Sequence, residues 1–119
     1  MKIFISQPMN GLSVDEIKAE RQRILDKFNL FHGFNYTLND VINPINRIFR
    51  FNATRLNYLS AAIDDLARAD LIIFTRDSVE ARGCKIEYEV TRLYSDCYNW
   101  IILQETRDGF VKVTHRRNK

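Results

Sequence analysis

The sequence predicts an α/β fold, and three observations carry that expectation. Short apolar runs, "KIFI" at 2–5 and "DLIIF" at 70–74, have the length and β-branched content of buried strands. Between the runs lie longer segments with apolar residues every three or four positions, the period of a helix packed on one face. Strands and helices alternate along the chain, which implies βαβ units and a largely parallel sheet.

At 119 residues the chain forms one domain, expected to span 1–119 with a short basic tail at 115–119. With 45% apolar and 28% charged residues it reads as an ordinary globular protein, and with four glycines and two prolines it is neither fibrous nor disordered. No apolar run approaches the length of a membrane helix, and the run after Lys2 is too short for a secretory leader. A cytoplasmic location is therefore expected, with no membrane partner. Cys84 and Cys97 make no CxxC pair, and His32 and His115 are isolated, so neither a disulfide framework nor a metal is expected. The net charge of +3 comes partly from "HRRNK" at the end of the chain. The aromatic residues do not interleave with the basic ones as a stacking platform requires, so nucleic acid is not an expected partner.

The elements follow in order. "KIFI" is the first strand, ended by the loop "SQPMNG" with Pro8 and Gly11 as breakers. Ser13 and Glu16 form a capping box that opens a helix over roughly 13–30, with Ile17, Ile24, Leu25 and Phe28 inside and Glu20 and Arg21 outside. "FNYTLNDVI" at 34–42 reads as a second strand. The segment 43–55 is broken by Asn43-Pro44 yet carries Ile45, Ile48, Phe49 and Phe51, which suits a short helix or a contact surface. A second helix over "NYLSAAIDDLARA" buries Leu59, Ala62, Ile63 and Leu66 and keeps Asp64, Asp65 and Arg68 on its polar side. "DLIIFT" is a third strand. "KIEYEVTRLYS" is a third helix with Ile86, Val90, Leu93 and Tyr94 on its packed face. "NWIILQ" is a fourth strand, and the Asp108-Gly109 turn leads into an edge strand, "FVKVTH". The resulting fold is a doubly wound, flavodoxin-like, mostly parallel sheet of four to five strands with helices on both faces.

Ligands of such sheets bind beyond the carboxyl ends of the strands. That rule selects two loops, one holding Ser6, Gln7, Pro8, Met9, Asn10 and Gly11, the other running from Thr75 to Cys84 into the third helix. The dinucleotide, P-loop and nucleophile-elbow signatures are all missing, and Ser6 has no histidine partner. Carboxylate chemistry remains, carried by Glu87 with Glu89 or an aspartate, as nucleophile or general base on a sugar centre. Arg82 suits a phosphate or carboxylate, and Gln7 and Asn10 are the polar amides of the first loop. Cys84 and Trp100 read as packing residues, and Glu89 as solvent-facing.

The residues also carry a resemblance. "KIFISQPMNGLSVDEIKAER" (2–21) and "ARADLIIFTRDSVEARGCKIEYEV" (67–90) resemble the two blocks of a small, mostly phage and prophage domain family of unassigned function. That family is similar to the nucleoside 2-deoxyribosyltransferases and deoxynucleotide N-glycosidases. The resemblance implies a glutamate nucleophile four residues after a glycine, matched by Gly83 and Glu87. It implies a first loop that holds the nucleoside, matched by Ser6 through Gly11, and a structural role for Asp70. It further implies a nucleoside or nucleotide ligand, a homo-oligomer whose neighbours complete the pocket, no cofactor, and the cytoplasm of a bacterial host. The chain departs from the enzymes at Ala62, where they usually carry a second carboxylate. That departure favours the alternative of a non-catalytic protein that binds a nucleotide signal or contacts a host protein.

Overall fold

The computed structural model describes residues 1–42 and 55–113. Its elements are β1 (Ile3–Ser6), α1 (Val14–His32), α2 (Arg55–Ala67), β2 (Leu71–Phe74), α3 (Arg82–Leu93), β3 (Ile101–Glu105) and β4 (Phe110–Lys112), with 3-10 turns at Leu38–Asp40 and Arg76–Glu80. The protein is α/β, with an open four-stranded sheet ordered β1-β2-β3-β4. β1, β2 and β3 run parallel and β4 returns antiparallel to β3, so the sheet is mixed.

The alternation of side chains along the strands sorts the core onto two faces. Ile3 and Ile5, Leu71 and Ile73, and Leu103 pack with Ile24, Leu25 and Phe28 of α1. Phe4, Ile72, Phe74 and Ile102 pack with Ala62 and Leu66 of α2, and Val90 of α3 lies against them. Burying each such side chain contributes about 1.5–3 kcal/mol. β1 and β2, buried on both faces, are consequently apolar at nearly every position.

Helix α1 starts where the capping box places it. Ser13 Oγ accepts from the Glu16 N–H at 3.1 Å, and the Glu16 carboxylate accepts from the Ser13 N–H at 3.0 Å. The helix ends at Gly33, whose φ of 72° is the left-handed conformation that suits glycine. Arg21, expected on the outside, is instead buried. It lies four residues after Ile17 and three before Ile24, squarely on the packed stripe.

Three further expectations are corrected. Residues 34–42 do not form a strand. Asn29 bonds both the N–H and the C=O of Tyr36, Thr37 and Asp40 cap each other around the 3-10 turn, and only Val41 makes a parallel bridge to Ile3. These local bonds occupy backbone groups that a ladder would need. In α2 the buried residues are Ala61, Ala62, Asp65 and Leu66; Leu59 and Ile63 are half-buried, and Asp65 is inside rather than on the polar side, ion-paired with Arg68. Helix α3 begins three residues before its expected start and turns a different face inward: Cys84, Glu87 and Thr91 are buried, while Ile86, Leu93 and Tyr94 are exposed. The segment 43–54 and the basic tail lie outside the described residues. No helix among the described residues is long and apolar enough to cross a membrane.

Candidate functional site

The strand alternation that sends Phe4 toward α2 and α3 sends Ser6 the same way. Ser6 ends β1 with its side chain 1% exposed. On the facing helix, Glu87 is 7% exposed, and its Oε1 accepts a hydrogen bond from Ser6 Oγ at 2.8 Å. Burial pushes the Glu87 carboxyl up to about 7, and the Ser6 hydrogen bond works against that rise. Both ionisation states are therefore populated near neutrality. Cys84 sits one turn earlier on the same helix. Its burial, together with the neighbouring Glu87 charge and against the pull of Ser6, raises the thiol to about 11. A thiol held that high is protonated at neutral pH and is a poor nucleophile.

The loop after β1 is built on a polar brace. Gln7 is buried, donating from Nε2 to the Ile17 carbonyl at 3.2 Å and accepting at Oε1 from Arg21 Nε at 3.0 Å. Arg21 also donates to the Met9 sulfur at 3.9 Å, and desolvation lowers its pKa. Both ends of the Gln7 amide are thus engaged with the protein. Pro8 and Met9 are half-buried, and Asn10 and Gly11 are exposed. The Leu12 N–H donates to the Met9 carbonyl at 3.1 Å, closing a turn in which Gly11 takes a φ of 80°.

The second loop follows β2. The Thr75 N–H donates to the Ser6 carbonyl at 3.1 Å, which ties the two loops together at the sheet edge. The Thr75 hydroxyl is buried without a hydrogen-bond partner among the described residues. On the neighbouring strand the Glu105 carboxylate accepts from Arg23 at 2.8 and 3.1 Å, from Lys27 at 2.8 Å and from the Arg76 N–H at 3.0 Å. Burial alone would raise this carboxyl, but the bonds from Arg23, Lys27 and Arg76 overcome it and bring it down to about 2. Glu105 therefore anchors the start of the 3-10 turn that leads into α3.

Helix α3 has Ala81 as its N-cap, with no side-chain cap hydrogen bond, and Arg82 and Gly83 lie exposed in its first turn, with open space around Gly83. Glu89 points outward, accepting from Arg92 Nε at 3.1 Å. Tyr88 packs edge-on against Phe74, with ring centroids 5.2 Å apart. Asp70 accepts from the Lys2 N–H at 2.8 Å and so ties the starts of β1 and β2 together. Ala62 is buried in the apolar cluster of α2.

Ser6, where β1 passes into the first loop selected from sequence, meets Glu87 of α3 through its side chain and Thr75, the start of the second loop, through its carbonyl. Sequence reasoning placed Thr75 at the start of the second loop but missed Arg21 and Glu105. The helical period places Arg21 on the buried stripe, and strand alternation places Glu105 on the same face as Leu103. Among the described residues no group of three or more histidine, cysteine, aspartate or glutamate side chains could hold a metal ion. Compared with known proteins, the chain matches no family model, no curated protein and no solved structure.

Proposed function

We propose that the protein binds a nucleoside or nucleotide between the loop after β1 and the start of α3, and that Glu87 cleaves or transfers the N-glycosidic bond. The observation that supports this reading is the 2.8 Å contact between Ser6 and Glu87, which sets a buried carboxylate at the end of β1, where the first loop begins. In this chemistry one oxygen of ionised Glu87 attacks the anomeric carbon. The bond to the base breaks, its electron pair leaves with the base, and a glycosyl ester remains on Glu87. Water or a second base then attacks the same carbon and releases the carboxylate. A carboxylate suits the step because it is anionic and forms a cleavable ester with an oxocarbenium-like centre. The first loop, of which Pro8 through Gly11 reach the surface, holds the ligand, and Arg82 and Gly83 form the exposed opposite wall.

The finer fold belongs to the same proposal. The bridge from Val41 to Ile3 lies on the opposite side of β1 from β2, which supports a doubly wound, flavodoxin-like arrangement with a vestigial second strand. The outward apolar residues Ile86, Leu93 and Tyr94 of α3 support assembly into a homo-oligomer. A phage or prophage origin and action in the host cytoplasm complete the reading.

The test is incubation with deoxynucleosides and deoxynucleoside monophosphates while free base is followed. Release by the wild type that disappears in Glu87→Ala supports the enzyme. A second reading, a non-catalytic nucleotide-signal binder, is favoured by Ala62, which places an apolar methyl where a second acid is expected. A nucleotide-dependent rise in melting temperature without base release supports that reading instead.

A further inference from the structure

Glu87 is held asymmetrically. Its Oε1 accepts a hydrogen bond from the Ser6 hydroxyl, while Oε2 accepts none from a described residue and is not sealed from solvent. Ser6 lies at the end of a buried strand, 1% exposed. Its hydroxyl donates to Glu87 at 2.8 Å and also lies beside the Cys84 thiol, which stays protonated at neutral pH. A side chain so placed stands behind the carboxylate and has no open surface to offer a ligand.

We infer that Ser6 is a positioning residue for Glu87: it clamps Oε1 from behind and leaves Oε2 as the oxygen that meets the substrate. This assigns Ser6 a different task from ligand contact in the first loop, and its catalytic consequence rests on the glycosyl reading above. The clamp has an electrostatic side. No cation among the described residues pairs with Glu87. From its own helix the Cys84 thiol stays neutral, and from α2 the buried acid Asp65 is engaged with Arg68. From β1, Ser6 supplies the one hydrogen bond, and this bond favours the ionised form. A carboxylate buried without a cation otherwise takes up a proton and ceases to be a nucleophile. One neutral donor thus fixes the geometry and preserves the charge.

The experiment is a ¹³C NMR titration of side-chain-labelled glutamate in the wild type, Ser6→Ala and Ser6→Thr, with the Glu87 signal assigned through Glu87→Gln. The wild type is expected to titrate at about 7. Ser6→Ala is expected to titrate about one to two pH units higher, the shift set by losing one hydrogen bond to a charged group. Ser6→Thr, which keeps the hydroxyl, is expected to restore the wild-type midpoint. Where base release is measured, Ser6→Ala lowers kcat at neutral pH by roughly five- to fiftyfold, the loss in ionised fraction, and leaves KM in place. An unmoved or lowered midpoint in a folded Ser6→Ala protein overturns the inference, as does a raised KM with unchanged kcat. If the alanine variant does not fold, Ser6→Cys, a weak donor, is titrated in its place with the same criterion. A wild type that releases no base while the midpoint still moves with Ser6→Ala removes the proposed activity but leaves the clamp standing.

Discussion

Ser6 and Glu87 are separated by 81 positions in the chain, and their side chains meet at 2.8 Å inside the protein. A parallel sheet makes this meeting possible. β1 and β2 end at the same edge, Ser6 pairing with Phe74, and the helix that follows β2 folds back over the face on which Ser6 lies. The contact brings a carboxylate and a hydroxyl to the place where sheets of this kind receive ligands.

The ionisation of Glu87 sets the direction of the pH dependence. Nucleophilic attack needs the carboxylate, so base release is expected to rise as pH passes upward through about 7. A general-acid role gives the reverse slope. A pH–rate profile under single-turnover conditions separates the two.

Burial of Glu87 also has a stability consequence of fixed sign. The folded-state value of about 7 exceeds the ordinary 4.5, so this group's stabilising contribution is complete below 4.5 and is lost as pH rises through about 7. Glu87→Gln stays neutral and keeps an oxygen for Ser6. It is expected to be more stable than the wild type at about pH 8, by up to about 3 kcal/mol, with the gain vanishing at acid pH. Urea unfolding at the two pH values measures it.

Glu105 behaves in the opposite way. Its carboxyl is held down at about 2, so its contribution is present above 4.5 and is lost as pH falls through about 2. Glu105→Gln weakens the bonds to Arg23, Lys27 and the Arg76 N–H, and is expected to cost about 1.5–3 kcal/mol at neutral pH and much less in strong acid. Because Arg76 opens the turn before α3, amide exchange across 76–84 is expected to quicken in the same variant.

Much of this was legible in the sequence, for reasons that differ by residue. The capping box at Ser13 and Glu16 is a local interaction, and local spacing reveals it. β1 and β2 were legible because strands buried on both faces leave continuous apolar runs. The loops that adjoin Ser6 and open α3 followed from topology. The inward face of α3 did not. Its apolar residues Ile86, Leu93 and Tyr94 keep helical spacing, which ordinarily marks the packed side, but here the packed side holds Cys84, Glu87 and Thr91. The partner that makes Glu87 an interior residue lies 81 positions away, beyond the reach of any periodicity. Residues 34–42 misled for a related reason: Val41 and Ile42 look like strand, yet side chains of Asn29, Thr37 and Asp40 capture the preceding backbone.

Thr75 offers a change that separates stability from the site's hydrogen bonds. Its hydroxyl is buried with no partner among the described residues, whereas its backbone N–H holds Ser6. Thr75→Val keeps the shape and the N–H and removes the unsatisfied oxygen. It is expected to raise stability by about 1 kcal/mol, read as a higher denaturation midpoint at unchanged slope.

The central claim, that Glu87 carries the glycosyl group, is tested most directly by rapid acid quench of the protein mixed with deoxynucleosides or deoxynucleoside monophosphates, followed by peptide mass analysis. The account predicts a deoxyribosyl increment on the peptide containing Glu87, absent from Glu87→Gln. Base release with no increment at Glu87, or a wild type left unmodified and inactive with every substrate of this class, would contradict it.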